Sequence, residues 1–410
     1  MGNKYNMSTI QHTQPSIGII GAGLAGILVA QACIDEGLEL AWIVDGDDSL
    51  RGSGSPTALF HPFPGRSLKL HPLLSEAVAS AQRVFIRWKQ RYPTWIREAS
   101  MVRSFAGLGG SRVKESFERT YIRDKTTIPS WLQMNILDEK EMAASGFLCD
   151  HSAGGMVYTP AMSIDLSEVI QAEQKRLSVH HIKTPIQKMT YSQRWALGNK
   201  NDSKFLEADI IVLCLGRGMN QWFPNLRLGE YGGELILCDL LPDFHEIYSA
   251  NGRHIGRHHS GRYVFGASRW LPEQKPLLLE VQKELEEDVT KIFPNAHRKT
   301  KDTSIWRGYR AVYHRDRLPI SGKIPNVSHM YTCCALGSKG LLWGALSAQY
   351  CVEQIRMQLG CNSKKIKKLD DLQSKKDLYS TYLSIDRVSK ERWLYDETCI
   401  VDFNTTSHQP

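Results

Sequence analysis

The stretch Ser16–Asp45, SIGIIGAGLAGILVAQACIDEGLELAWIVD, constrains this chain more than any other. A short apolar run (Ile17, Ile19, Ile20) ends in a turn through Gly21, Gly23 and Gly26, and apolar residues at helical spacing follow (Leu24, Ile27, Leu28, Ala32). After Gly37 a second apolar run, Leu38–Val44, stops on Asp45. Strand, glycine turn, helix, strand and acid is the order that a dinucleotide needs. Gly21 permits the tight turn, Gly23 lets the backbone approach a pyrophosphate, and Gly26 lets helix and strand pack closely. The helix N-terminus at Leu24 and Ala25 offers free N–H groups to phosphates. Asp45, 19 residues past Gly26, can accept hydrogen bonds from a ribose.

The 410 residues are enough for a large core and two domains, consecutive or interleaved. No apolar run reaches the roughly 18 residues of a membrane span, so none is expected. Residues 1–15 carry neither a charged segment followed by an apolar one nor a cleavage site. They read as a loose leader, and the expected location is cytoplasmic. Nine cysteines without CxxC spacing, several inside apolar runs, indicate reduced and mostly buried thiols, neither a disulfide frame nor a zinc site. The net charge of +8 is partly local to Lys364, Lys365, Lys367, Lys368, Lys375 and Lys376. These lysines read as a solvated helix face or as a patch for a polyanion such as RNA.

In chain order, Arg51–Ser67 (RGSGSPTALFHPFPGRS) is a small-residue loop placed near the nucleotide by the strand before it. Ser75–Arg91 reads as a helix, and Met101–Ala106 as a strand leaving it. Residues 114–142 show no clear period. Gly154–Asp165 reads as a short strand leading into a helix over Leu166–Leu177, capped near Ser163 or Asp165. Ala208–Gly216 (ADIIVLCLG) has the pattern of a strand buried on both faces of a parallel sheet, so the first domain resumes late. Gly232–Asp239 and Arg262–Ser268 alternate like antiparallel strands, and Lys275–Phe293 reads as a helix. The last block, Trp306–Ile355, holds a strand with Arg310, a turn at Asp316–Pro319 and a strand at Met330–Ala335. Gly337 and Gly340 then lead into a helix whose N-terminus is a second place for an anionic or carbonyl group.

Taken in order, GAGLAG with Asp45, GGMVYTP, YVFGAS, WRGYRAVYHRDRLPISG and ALGSKGL resemble the D-amino-acid-oxidase-like family of FAD-dependent amine oxidoreductases. The last two motifs look most like the FAD oxidoreductase half of the bifunctional enzyme that makes 5-methylaminomethyl-2-thiouridine at the tRNA wobble position. The resemblance implies an α/β fold in which a Rossmann-like FAD-binding domain (16–75, 156–220 and 304–360) is interleaved with a smaller sheet-rich α+β substrate domain (76–155 and 221–303). A basic tail (361–410) follows. It implies FAD as cofactor, with Gly21, Gly23, Leu24, Ala25, Gly26 and Asp45 on its ADP half and Gly216 at the end of the middle strand. It places Arg51, Ser53 and Thr57 near the pyrophosphate or flavin, and Gly337, Ser338, Lys339, Gly340 and Leu341 beside the flavin ring. An arginine at the position of Arg310 pairs with the substrate carboxylate in relatives.

The implied reaction is oxidation of an amine C–N bond by hydride transfer to FAD. The substrate is either the carboxymethylaminomethyl group of wobble uridine in tRNA, giving the aminomethyl group and glyoxylate, or a free glycine-like or D-amino acid. A flavoprotein or RNA-binding module without turnover is the competing class. No methyltransferase half precedes the nucleotide motif, so a methyltransferase partner would be a separate protein. Two stretches depart from the family: the flavin loop reads SGSPTALFHP, and NGRHIGRHHSG stands where relatives carry a substrate-side tyrosine. His254, His258 and His259 look like metal ligands, but no carboxylate or cysteine accompanies them at ligand spacing, so they read as surface or pocket histidines and no metal is expected. Cys333 and Cys334 read as buried thiols, Asp316 as a turn residue, and Tyr309 and Tyr313 as facing away from Arg310.

Overall fold

The computed structural model describes residues 15–388 apart from 47–49, 64, 66, 145–152, 183–185, 187, 199–203, 240–246, 251, 293–302 and 361–376. The lysines at 364–376 and Cys149, Cys361 and Cys399 lie outside the described residues.

The chain opens with β1 (Ile17–Ile20), α1 (Leu24–Asp35) and β2 (Leu40–Asp45). Then come β3 (Ala58–Phe60), α2 (Leu74–Arg91), β4 (Ile96–Ser104), α3 (Gly107–Phe117), β5 (Gln133–Leu137), α4 (Glu139–Ala144), β6 (Gly155–Ile164) and α5 (Leu166–Arg176). The absence of a period over 114–142 has a reason: β5 is largely solvent-facing and α4 buries only Met142, so neither carries an apolar stripe. The middle of the chain forms β7 (His180–His181), β8 (Lys188–Tyr191), β9 (Trp195–Gly198), β10 (Lys204–Ala208), β11 (Ile210–Leu213), α6 (Met219–Trp222), β12 (Gly229–Cys238), β13 (Ile247–Ala250), β14 (Arg253–Arg257) and β15 (Tyr263–Gly266). It closes with α7 (Leu278–Ile292), β16 (Ser304–Val312), β17 (Ile320–Lys323), β18 (Met330–Cys334) and α8 (Gly340–Gln358).

Two large sheets result. The first has the order β17-β18-β11-β1-β2-β7, parallel except for β17. Every residue of β1, β11 and β18 is buried, as unbroken apolar strands covered on both faces must be. Helices α1 and α8 pack together because α8 presents glycines to α1: a Cβ on Gly340 would come within 2.9 Å of Leu24 Cδ2, and one on Gly344 within 2.7 Å of Leu28 Cδ1. The amphipathic helix α2 lays Ala77, Ala81, Phe85 and Trp88 on the same core. Phe85 and Trp88, each 2% exposed, are worth about 1.5–3 kcal/mol apiece by burial. The half-exposed Arg87–Asp35 ion pair adds at most about 1 kcal/mol, so apolar burial holds α2 in place.

The second sheet runs β16-β12-β15-β14-β13-β4-β6-β3, with β5 also pairing to β6. It curls until its two edges meet one loop: the chain that leads from β2 into β3 also reaches β16 at the opposite edge. There the Tyr309 N–H donates to the Leu50 carbonyl at 2.9 Å, and Arg51 bridges to Tyr309. This is the mixed architecture expected from the sequence, a Rossmann-like parallel sheet interleaved with a sheet-rich part. Residues 76–91, grouped with the substrate part, belong to α2, which packs against α8. Residues 155–164 and 304–312, grouped largely with the nucleotide part, are β6 and β16 of the curled sheet, where their backbone groups find partners in β4 and β12.

Candidate functional site

A cavity of about 1310 Å³ lies between the glycine turn, the loop after β2 and the inner face of the curled sheet. Two helices point their N-termini at it. Neither α1 nor α8 has a side-chain cap or an acidic residue in its first turn, so their leading N–H groups have no intrahelical partner and favour negative charge. Gly21, Gly23, Leu24 and Ala25 line the cavity at the first helix, and Gly337, Ser338, Lys339, Gly340 and Leu341 at the second, with Gly216 between them. Gly26 does not line it. Its role is packing: a Cβ there would lie 1.8 Å from the Gly21 carbonyl oxygen, while Gly21 itself turns at φ +95°. Gly340 borders the cavity and is glycine because Leu24 presses on it.

Asp45 is buried at this end of the cavity. Its Oδ1 accepts from the Ala22 N–H (3.0 Å), and its Oδ2 from Gln174 Nε2 (3.0 Å) and from Arg51 in an ion pair. A carboxylate offers about four acceptor positions, so one is left for a ribose hydroxyl. Arg51, expected near the pyrophosphate or flavin, lines the cavity and pairs there with the buried Asp45 carboxylate. Two uncapped helix N-termini, a glycine cradle and an acid with acceptor capacity fit the FAD that the resemblance implies.

The loop after β2 is bolted down by Asp165. This residue begins α5, as expected for a cap, but its carboxylate makes no capping hydrogen bond. Instead Oδ1 accepts from Thr57 Oγ1 (2.9 Å) and Arg97 Nη2 (2.6 Å), and Oδ2 from the His259 N–H (2.8 Å). His259 Nδ1 also lies 2.9 Å from Oδ2. Sequence spacing had offered the histidines no carboxylate; the fold brings Asp165 within reach of His258 and His259. Arg97 already answers that charge, so the cluster reads as an anchor between the loop, β4 and the β14–β15 turn. Thr57 and Ser53 both face the cavity, and Ser53 Oγ lies 2.9 Å from where a Gly23 Cβ would be. Asp165→Asn keeps the shape but leaves Arg97 without its counter-ion. Stability should fall by about 3 kcal/mol, the low end of the range for a broken buried pair because Arg97 keeps 23% exposure. Urea midpoints at fixed FAD check this, and a loss under about 1 kcal/mol would show that the network holds nothing.

Arg310 lines the cavity from β16. Burial and the neighbouring Arg269 push its guanidinium down, while Glu234 pulls the other way. Glu234 is fully buried but committed: it accepts from Trp270 Nε1 at 2.9 Å, takes the Ser268 hydroxyl, and pairs with Arg307. Arg310 is therefore a cation facing the cavity with no ion pair among the described residues. Tyr309, expected to face away from Arg310, also lines the cavity, from the edge strand β16. Its ring carries Arg217 at 4.7 Å and meets Trp270 edge-on at 5.2 Å. Tyr313 is in the core away from the site, and Asp316 is the expected turn residue, accepting from the Leu318 N–H at 2.9 Å.

Sequence reasoning missed Arg103, His61, Tyr231 and Arg269 as lining residues. For Arg103 one signal existed, a charge inside the apolar strand MVRS. Cys333 and Cys334 lie in β18 and border the cavity, and burial pushes the Cys333 thiol far up, so it is un-ionised. No helix among the described residues is long and apolar enough to cross a membrane.

Glycine oxidase from Geobacillus kaustophilus superposes with a TM-score of 0.66 at 15% identity, covering 84% of this chain and 95% of that one. Iminodiacetate oxidase from Chelativorans sp. BNC1 does so at 0.61 and 16% identity, covering 85% and 97%. L-alpha-glycerophosphate oxidase from Mycoplasma pneumoniae with FAD bound does so at 0.60 and 12% identity, covering 87% and 97%. At these identities the likeness is one of fold. Residues 16–354 match the model described as DAO, FAD dependent oxidoreductase, so this chain, with its glycine turn, two open helix N-termini and Asp45, belongs to the DAO family of FAD-dependent oxidoreductases and uses FAD.

Proposed function

We propose that this protein oxidises the C–N bond of a secondary or primary amine that carries a carboxylate, and that the amine is the carboxymethylaminomethyl group of wobble uridine in tRNA. The observation that carries the reading is Arg310, a cation on the cavity whose acidic neighbour Glu234 is already committed to Arg307. Its planar fork suits a carboxylate, which it would hold by two parallel hydrogen bonds. FAD, when bound, supplies the two-electron acceptor for the hydride on the carbon beside nitrogen. The chain's own residues do the rest. Arg310 and Arg269 fill the pocket with positive field, which disfavours the ammonium form and selects the neutral amine without a dedicated base. Trp306, Leu235 and Tyr309 line the same cavity. After oxidation, water adds to the imine carbon and the C–N bond breaks, leaving the shortened amine and glyoxylate.

The tRNA substrate is supported by the likeness of the last two motifs, by the net charge of +8, and by Arg217, Arg269, Arg317 and Lys339 along the cavity. Two structural neighbours are named as oxidases of glycine and iminodiacetate, both amines with carboxylates. Bulk tRNA from a deletion strain should accumulate carboxymethylaminomethyluridine, and purified protein should release glyoxylate from that tRNA. Binding to tRNA should weaken steeply with salt, since phosphate contacts release counter-ions. Unchanged tRNA nucleosides, together with glyoxylate released from free glycine, would make the protein an amino-acid oxidase.

A further inference from the structure

The cavity has a second polar pole, at Arg103. This side chain on β4 is 6% exposed and borders the cavity. Its guanidinium donates to the backbone carbonyls of Phe63 (3.2 Å) and Gly65 (2.6 Å), which are neutral, and it forms no ion pair among the described residues. The strand register sets Arg103 beside Ser249 on β13, and Ser249 beside His254 on β14; all three line the cavity with His61. His61 Nδ1 is 3.2 Å from the Tyr158 hydroxyl. His254 Nδ1 is buried and partnerless among the described residues, and the two imidazoles stand 6.2 Å apart. Burial and the charge of Arg103 push His254 down to about 4, so near neutral pH one cation sits beside an uncharged ring.

A cation buried among neutral groups is costly until an oxygen bearing negative charge meets it. The same field repels an ammonium group, and an apolar group would leave the guanidinium unanswered. Arg310 belongs to a different part of the sheet face. The row of His254 continues through Gly266 and Leu235 to Trp306, four residues before Arg310 on β16. Two cationic poles therefore line one cavity on separate rows.

We propose that Arg103, with His254 beside it, forms a second subsite that takes a carbonyl or carboxylate oxygen on the arm of the amine remote from the carboxylate at Arg310. This rests on the carboxylate role proposed for Arg310. The substrate is then an amine with oxygen acceptors at both ends, and free glycine leaves this subsite unused. A pyrimidine carbonyl and a second carboxylate both supply such an oxygen, and the experiment separates them.

The test is calorimetric binding to the full chain loaded with FAD, using thioethers in which sulfur replaces the amine nitrogen. The set comprises (alkylthio)acetates of increasing length, counterparts of each ending in a second carboxylate, and 5-(carboxymethylthiomethyl)uridine. At least one oxygen-ended thioether should bind about tenfold or more tightly than the alkyl thioether of matching length. Preference for the uridine identifies a carbonyl, and preference for the dicarboxylates a second carboxylate. Arg103→Met should bring the ratio close to one, and Arg103→Lys should restore part of it. If Arg103→Met does not fold, a lowered ratio in His254→Phe is the expected result. Equal affinities across the wild-type series overturn the proposal, as does a ratio unchanged in a variant that folds and keeps FAD. A series in which no thioether binds, or in which binding ignores Arg310→Leu, overturns the carboxylate role of Arg310 and this subsite with it.

Discussion

Arg310→Leu should keep the fold and the FAD yet lose most activity on carboxylate-bearing amines. The fold survives because Glu234 is held by Arg307, Trp270 and Ser268, so removing Arg310 strands no buried carboxylate and relieves its repulsion with Arg269. Activity falls because a substrate carboxylate in this pocket loses two charge-assisted hydrogen bonds. Such a loss typically costs about 2–5 kcal/mol, roughly 30- to several-thousand-fold in kcat/KM. Arg310→Lys, which keeps the charge without the fork, should fall in between. Arg307→Leu is the control with the opposite signature: it leaves Glu234 buried without its ion-pair partner, so stability drops before catalysis can be read. A near-normal kcat/KM for Arg310→Leu on any amine that the wild type oxidises removes the carboxylate role, and loss of FAD in that variant reassigns Arg310 to the cofactor site.

The second large effect belongs to the glycine turn, where two neighbouring glycines should respond differently. Gly26→Ala puts a methyl group 1.8 Å from the Gly21 carbonyl oxygen, a backbone atom that cannot move without opening the β1–α1 turn. This variant should lose FAD and fold poorly. A Cβ at Gly23 meets only Ser53 Oγ, at 2.9 Å, and that hydroxyl can rotate away. Gly23→Val should therefore fold, with the far-ultraviolet spectrum of the wild type, and come off the column colourless because its side chain occupies space that a pyrophosphate needs. Yellow Gly26→Ala protein with an unchanged melting temperature would show that the turn does not have the close packing seen here. Yellow Gly23→Val would move the pyrophosphate elsewhere.

Much of this molecule was legible in local pattern. The β1–α1–β2 unit, α2, β11, α7 and α8 all follow from apolar period and glycine position, because each buries a face or a whole strand whose spacing is written along the chain. The helix at Gly340 could be read the same way, although its glycines answer to Leu24 and Leu28. What could not be read were the meetings of distant residues. Asp165 looked like a helix cap and became the anchor of Thr57, Arg97 and His259, which lie 108, 68 and 94 residues away. Arg51, expected near the pyrophosphate or flavin, lines the cavity and pairs with Asp45.

The nucleotide unit was written in residue types at short, regular spacing, while FAD and the candidacy of Arg310 were implied by the resemblance of several motifs taken in order. Only the tertiary structure decided which charges are spoken for. Glu234 is committed to Arg307 while Arg310 and Arg103 line the cavity without an ion pair among the described residues, and that outcome depends on how a curled sheet brings its strands into register. Strand pairing is a long-range choice driven by total burial and backbone hydrogen bonding, so no local window of the chain contains it.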